Sequence, residues 1–179
     1  MIGGLMTNLL SSTLCRSEEF MRGLYTSHIR PKIEYASPLW NLGYIGDVKL
    51  LERLQRRWTR AVEGLELLSY GERLQKLDLF SLQGRFLRFD LILVWKIVHG
   101  ISCIKFDDLF VFSPSTTTRG HQFKLLPSHC NLDVRRRSFA ERVVNPWNSL
   151  SVQTVSSDNI NTLKRLLQVD LGQSLFDYR

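Results

Sequence analysis

Phosphoryl transfer needs carboxylates that can hold Mg²⁺ between them, and the sequence offers one adjacent pair, Asp107 and Asp108, in the run KFDDLF. Adjacent acids are common at turns, and no third acidic residue sits in a comparable motif, so the pair falls short of a metal site. A zinc ion would have to draw on Cys103, His121, His129 and Cys130. There is no C-x-x-C or H-x-x-x-H pair among them, and the neighbours His129 and Cys130 would rarely both reach one ion. We therefore expect no catalytic residue, no metal and no cofactor. A G-x-S-x-G elbow, a Gly-rich phosphate loop and an H-E-x-x-H pair are all missing from the sequence. The residues that keep a chemical pattern are the basic ones.

Lys49, Arg53, Arg56 and Arg60 repeat at spacings of four, three and four, with Arg57 beside them. That spacing puts them along one side of a helix, where they can meet several phosphates of a nucleic acid backbone. From Lys49 to Arg60 only Glu52 opposes the five cations, a local charge of +4. A second group, Arg135, Arg136 and Arg137, immediately precedes the segment SFAERVVNPWNSL. These arginines stand either as phosphate contacts before the positive end of a helix or as a strand edge paired with local acids such as Asp133. Both groups are candidates for nucleic acid binding, and for each a solvated protein surface is the competing reading.

The elements that would carry these residues are helical almost throughout. Tyr25, Ile29, Ile33, Ala36 and Trp40 form an apolar stripe that runs through Pro31, so a kinked helix, or two helices meeting near Arg30, is expected. Val48, Leu51, Leu54, Trp58, Ala61 and Leu65 give the basic helix its predicted core face, with Gly64 near its end. Ser69 with Glu72 and Ser138 with Glu141 have the spacing of capping boxes. Leu82 to Val98 is apolar nearly all round and should be a central buried helix, stopped by Gly100. Residues 109–136 read as short strands and turns, with a hairpin expected between His121–Leu126 and Leu132–Arg136. A last helix, capped by Ser157 or Asp158, carries Ile160, Leu163, Leu167 and Leu171.

The composition is that of a soluble globular protein. With 179 residues and 44% hydrophobic content the chain can build a core, and a net charge of +7 favours a polyanionic partner. Cys15, Cys103 and Cys130 are too widely spaced for a disulfide framework and suit a reducing, intracellular compartment, nucleus or cytoplasm. The longest fully apolar run, Leu91 to Trp95, is far short of the roughly 20 residues that span a bilayer, so no membrane partner is expected.

In order along the chain, LYTSHIRPKIEYASPLWN, LERLQRRWTRAVEG, LSYGERLQKLDLFSLQGRFLRFDLILVWKIVHG, RGHQFKL and RRRSFAERVVNPWNSL resemble the region that follows the polymerase core in reverse transcriptases of jockey-like non-LTR retrotransposons. The resemblance covers roughly residues 20 to 165. It departs in detail, with Trp58 where a small residue is usual and Pro146 inside the final motif. In that family the catalytic aspartates stand upstream, in an aromatic-x-Asp-Asp turn of the palm. Asp107 and Asp108 are not that motif displaced, because Lys105 stands where the aromatic should be.

The resemblance implies a mainly α fold, with residues 1–66 forming a thumb-like helical segment and 67–179 a helical C-terminal extension with short strands near 109–136. It implies a catalytically incomplete fragment of an RNA-directed DNA polymerase, which would pack against a palm on a missing upstream segment and keep nonspecific RNA or DNA binding. The alternative is a helical protein-interaction module that binds no nucleic acid.

Overall fold

The computed structural model describes residues 2–41, 43–114, 120–129 and 131–176. The protein is mainly helical, and among the described residues no strand forms. The chain packs as two compact units, one of Met1–Ser37, Gly43–Arg85 and Ser174–Arg179, the other of Pro38–Leu42 and Phe86–Gln173.

The first unit opens with α1 (Ile2–Ser12) and α2 (Glu18–Leu24), which runs through a π-helical turn at Tyr25–Ile29 into α3 (Arg30–Glu34). Near Arg30, where a kink was expected, the chain makes this π-helical turn. Pro31 has no N–H to donate and its ring crowds the preceding carbonyls, and the wider π turn, with the Arg30 N–H reaching back to the Tyr25 carbonyl, makes room for it. Met21, Tyr25, Ile29 and Ile33 are buried along this element, whereas Tyr35 is exposed.

Helix α5 (Ile45–Arg60) follows the short α4 (Ser37–Trp40), and α6 (Tyr70–Lys76) packs against it. α6 starts on the predicted capping box, with the Ser69 N–H donating to Glu72 Oε2 at 2.7 Å and the Glu72 N–H donating to Ser69 Oγ at 3.4 Å. α5 stops at Arg60, earlier than its apolar stripe suggests, and Gly64 lies in the turns beyond it at φ +78°. α7 (Leu82–Val98) is the long apolar helix, and its first turn belongs to this unit. There Ser81 holds the 3₁₀ turn Gly172–Leu175, its N–H and Oγ both donating to the Leu175 carbonyl at 2.9 and 3.0 Å.

The second unit is built on the rest of α7. Leu91, Val94, Trp95 and Ile97 pack in one core with Val143, Trp147, Val155, Leu163 and Leu167. Gly100, at φ +66°, ends the helix as predicted, with the Ile101 N–H bonded to the Lys96 carbonyl and the Gly100 N–H to Ile97, the paired bonds of a Schellman motif. Arg142 forks onto Asp90, Nε to Oδ2 at 2.8 Å and Nη2 to Oδ1 at 3.0 Å, and also donates to the carbonyls of Arg137 and Pro38. Burial raises the Asp90 pKa, and the bonds from Arg142 oppose the rise.

Several expected elements differ. The short strands near 109–136 reduce to one antiparallel bridge, Phe112 with Leu125, flanked by Ser113 N–H to Lys124 carbonyl and Leu126 N–H to Val111 carbonyl bonds, both 2.8 Å. The hairpin between His121–Leu126 and Leu132–Arg136 does not form. Residues 133–136 coil into the helical turn α8 (Asp133–Arg136), where Asp133 in the first turn and the arginines in the last match the helix dipole.

The segment 138–150 is broken into α9 (Phe139–Arg142) and α10 (Val144–Asn148), which places Pro146 in a first turn, where its missing N–H has no helical partner to lose. Ser138 occupies the N-cap of α9 without a side-chain cap bond, and Glu141 accepts from the Ser128 hydroxyl instead. After α11 (Val152–Val155), the final helix α12 (Ile160–Leu171) is capped by Asn159 rather than Ser157 or Asp158. Asn159 Oδ1 accepts from the N–H groups of Asn161 and Thr162 at 3.0 and 2.9 Å.

Candidate nucleic-acid interface

Helix α5 presents Lys49, Arg53, Arg56, Arg57 and Arg60 to solvent. Its buried side is not the apolar stripe alone. Glu52, Gln55, Trp58 and Thr59 are fully buried, whereas Val48, Leu51 and Leu54 are half-buried and Leu50 is exposed. The Trp58 indole N–H donates to the Met21 carbonyl at 3.1 Å. Gln55 accepts from the Tyr25 hydroxyl and donates to the Phe80 carbonyl at 2.9 Å. Glu52 accepts from the Tyr70 hydroxyl and, at 3.0 Å, from the Leu82 N–H.

This network sorts the charges of the helix. The only acid between Lys49 and Arg60 turns inward, and its carboxyl group accepts from Tyr70 and Leu82. Burial pushes the Glu52 carboxyl pKa up, and the bonds from Tyr70 and Leu82 together with the charge of Arg56 pull against it. The Tyr70 hydroxyl is raised by burial and by Glu52. The recurrence of Glu52, Gln55 and Thr59 at three and four residues was the available sequence signal for a buried polar face, but these residue types usually face water.

The C-terminal half of the row bounds a concavity of about 700 Å³ lined by Arg56, Arg57, Arg60, Ala61, Glu66, Leu68 and Arg73. Arg56 and Arg73 both lie on Tyr70, with guanidinium carbons 4.7 and 5.7 Å from the ring centroid. Arg73 is held by Nε to Thr59 Oγ1 at 3.2 Å and Nη1 to the Leu68 carbonyl at 2.6 Å. Its pKa is lowered by burial and by the like charges of Arg60 and Arg56. Arg73 and Tyr70 belong to this surface and were not singled out in the sequence, because α6 reaches it only through packing.

Arg135, Arg136 and Arg137 lie in the second unit, at the end of α8. Arg136 and Arg137 pair with Asp133 at 3.9 and 3.3 Å, and Arg135 is exposed. The acid suggested by the sequence is therefore the partner, on a helical turn rather than a strand. Such exposed pairs are worth about 0–1 kcal/mol each and leave the cations open to competition by another anion.

The remaining chemical candidates do not converge. Asp107 and Asp108 are exposed on one 3₁₀ turn, Phe106–Asp108. His121 is buried and donates from Nε2 to the Trp147 carbonyl at 3.1 Å, a bond internal to the core. Cys103 is an exposed free thiol, and Cys130, like Arg119 of the RGHQFKL motif, lies outside the described residues. Among the described residues no three His, Cys, Asp or Glu side chains gather to hold a metal ion, and no helix is long and apolar enough to cross a membrane. No protein-family model, curated protein or solved structure matches the chain.

Proposed function

We propose that the chain is the thumb and post-polymerase part of a non-LTR retrotransposon reverse transcriptase, and that it grips the backbone of RNA or DNA without reading sequence. The observation that carries the binding reading is the row of five exposed cations along α5, whose one intervening acid, Glu52, is buried. The ancestry rests on the five motifs quoted above. Lys49 and Arg60 are separated by roughly 16 Å along the helix, enough to follow several phosphates of a strand.

Each phosphate neutralised releases counterions, so the logarithm of affinity falls with the logarithm of salt by roughly 0.9 per contact for duplex DNA and roughly 0.7 for single strands. The test is fluorescence anisotropy on unrelated oligonucleotides over a salt series. The variant combines Lys49→Glu, Arg53→Glu, Arg57→Glu and Arg60→Glu, leaving Arg56 on the Tyr70 ring. It should bind all sequences more weakly by similar factors and flatten the salt dependence by roughly two to three units for single strands. Helical content should persist, because Glu52, Gln55, Trp58 and Thr59 are untouched. If affinity and slope survive both this variant and replacement of Arg135, Arg136 and Arg137 by Glu, the protein-interaction reading takes over.

A further inference from the structure

We propose that the concavity between the end of α5 and α6 is a nucleotide pocket, taking one phosphate-bearing nucleotide of the bound strand. This rests on the reading of α5 as a backbone-gripping helix, and it adds a discrete subsite to that surface. A volume of about 700 Å³ falls within the range of small-ligand sites and exceeds what a phosphate alone would fill.

The lining divides by chemistry. Four arginines, Arg56, Arg57, Arg60 and Arg73, face one acid, Glu66. Arg73 is already oriented by Thr59 and the Leu68 carbonyl, so little rotamer freedom remains to be lost when an anion binds. Arg60 and Arg56 repel it, and an anion placed among the three relieves that repulsion. Planar guanidinium groups suit the fork geometry of phosphate oxygens better than a lysine row would.

Ala61 and Leu68 supply an apolar wall against which a base can lie, and a guanidinium plane beside it can stack on the base as arginines do in single-strand recognition. Glu66, which accepts from the Gly64 N–H at 3.2 Å, brings an acceptor to the same lining for a ribose hydroxyl. Phosphate, sugar and base thus each meet a complementary group. Inorganic phosphate would use only the first of these.

The experiment titrates the full chain with adenosine 5′-monophosphate by calorimetry, with inorganic phosphate and adenosine as controls. Alongside it, strand binding is measured with a single-stranded oligonucleotide. Adenosine 5′-monophosphate should bind more tightly than either control. Ala61→Trp, which fills the wall without altering charge, should abolish that binding. Arg60→Glu, an exposed change that spares the fold if Ala61→Trp does not, should weaken it by roughly ten- to a hundred-fold, as expected for loss of a charge-assisted hydrogen bond.

Equal binding of phosphate and nucleotide, or nucleotide binding indifferent to both variants, overturns the pocket. Salt-dependent strand binding without nucleotide binding removes the pocket and leaves the strand-gripping reading standing. Nucleotide binding that both variants impair, without strand binding, removes the strand-gripping reading and leaves a nucleotide site.

Discussion

Burial raises the carboxyl pKa of Glu52 while its hydrogen bonds from Tyr70 and Leu82 oppose the rise, and the net direction is upward. A raised folded-state pKa means that the folded protein holds this proton more tightly than the unfolded chain, whose glutamates titrate near about 4.3. The contribution is therefore fully present below about pH 4.3 and is lost as pH rises through the folded value. Glu52→Gln cannot titrate and escapes that loss. Its stability relative to the parent should increase between about pH 4 and pH 7, read by denaturant unfolding at each pH. A relative stability that instead fell over this window would show that the hydrogen bonds outweigh burial and that Glu52 is held as a carboxylate. The same residue illustrates what the sequence conceals. Glutamate in a basic run reads as a surface counter-charge, and only the packing of Tyr70 and Leu82 around it reveals an inward anchor.

At the scale of elements, α7 meets the C-terminal turn so closely that a side chain cannot intervene. A Cβ on Gly84 would lie 2.7 Å from both the Cα and the carbonyl oxygen of Leu175, whereas one on Gly23 would meet nothing within 4 Å. Backbone cannot swing aside as a lysine tip can. Gly84→Ala should therefore displace the turn Gly172–Leu175 and cost about 1–3 kcal/mol. The Ser81 N–H, bonded to the Leu175 carbonyl, should lose its protection from amide exchange. Gly23→Ala, in an exposed helix position, should be neutral or stabilising by about 0.5–1 kcal/mol. Equal thermal stability of the two variants would remove the close approach from the account. Local signals such as this helix, the Ser69 and Glu72 box and the Gly100 stop were legible because they are written in residues a few positions apart. The break at Val143, the helical turn at Asp133–Arg136 and the pairing of Leu125 with Phe112 depend on what the rest of the core requires of the backbone. The basic row was legible for the first reason. Arg73 and Tyr70 entered the surface for the second.

For the molecule as a whole, a net charge of +7 on a mainly helical frame would favour a polyanionic partner, but attraction is not chemistry. Strand extension by a polymerase needs carboxylates that converge on metal ions bridging the nucleotide phosphates and the primer hydroxyl. Asp107 and Asp108 are sequence neighbours on an exposed 3₁₀ turn, and no further acid joins them among the described residues. Exposure also works against them, because water competes for the metal and the field that would stabilise a transition state is screened. We therefore expect the purified chain to bind a primed template yet incorporate no nucleotide with Mg²⁺ or Mn²⁺, as read by primer extension on a denaturing gel. Asp107→Ala and Asp108→Ala should leave template binding unchanged, since both acids lie outside the basic row of α5. Extension that either substitution abolished would make this turn a catalytic site and overturn the proposal that the chain is the gripping part of a polymerase.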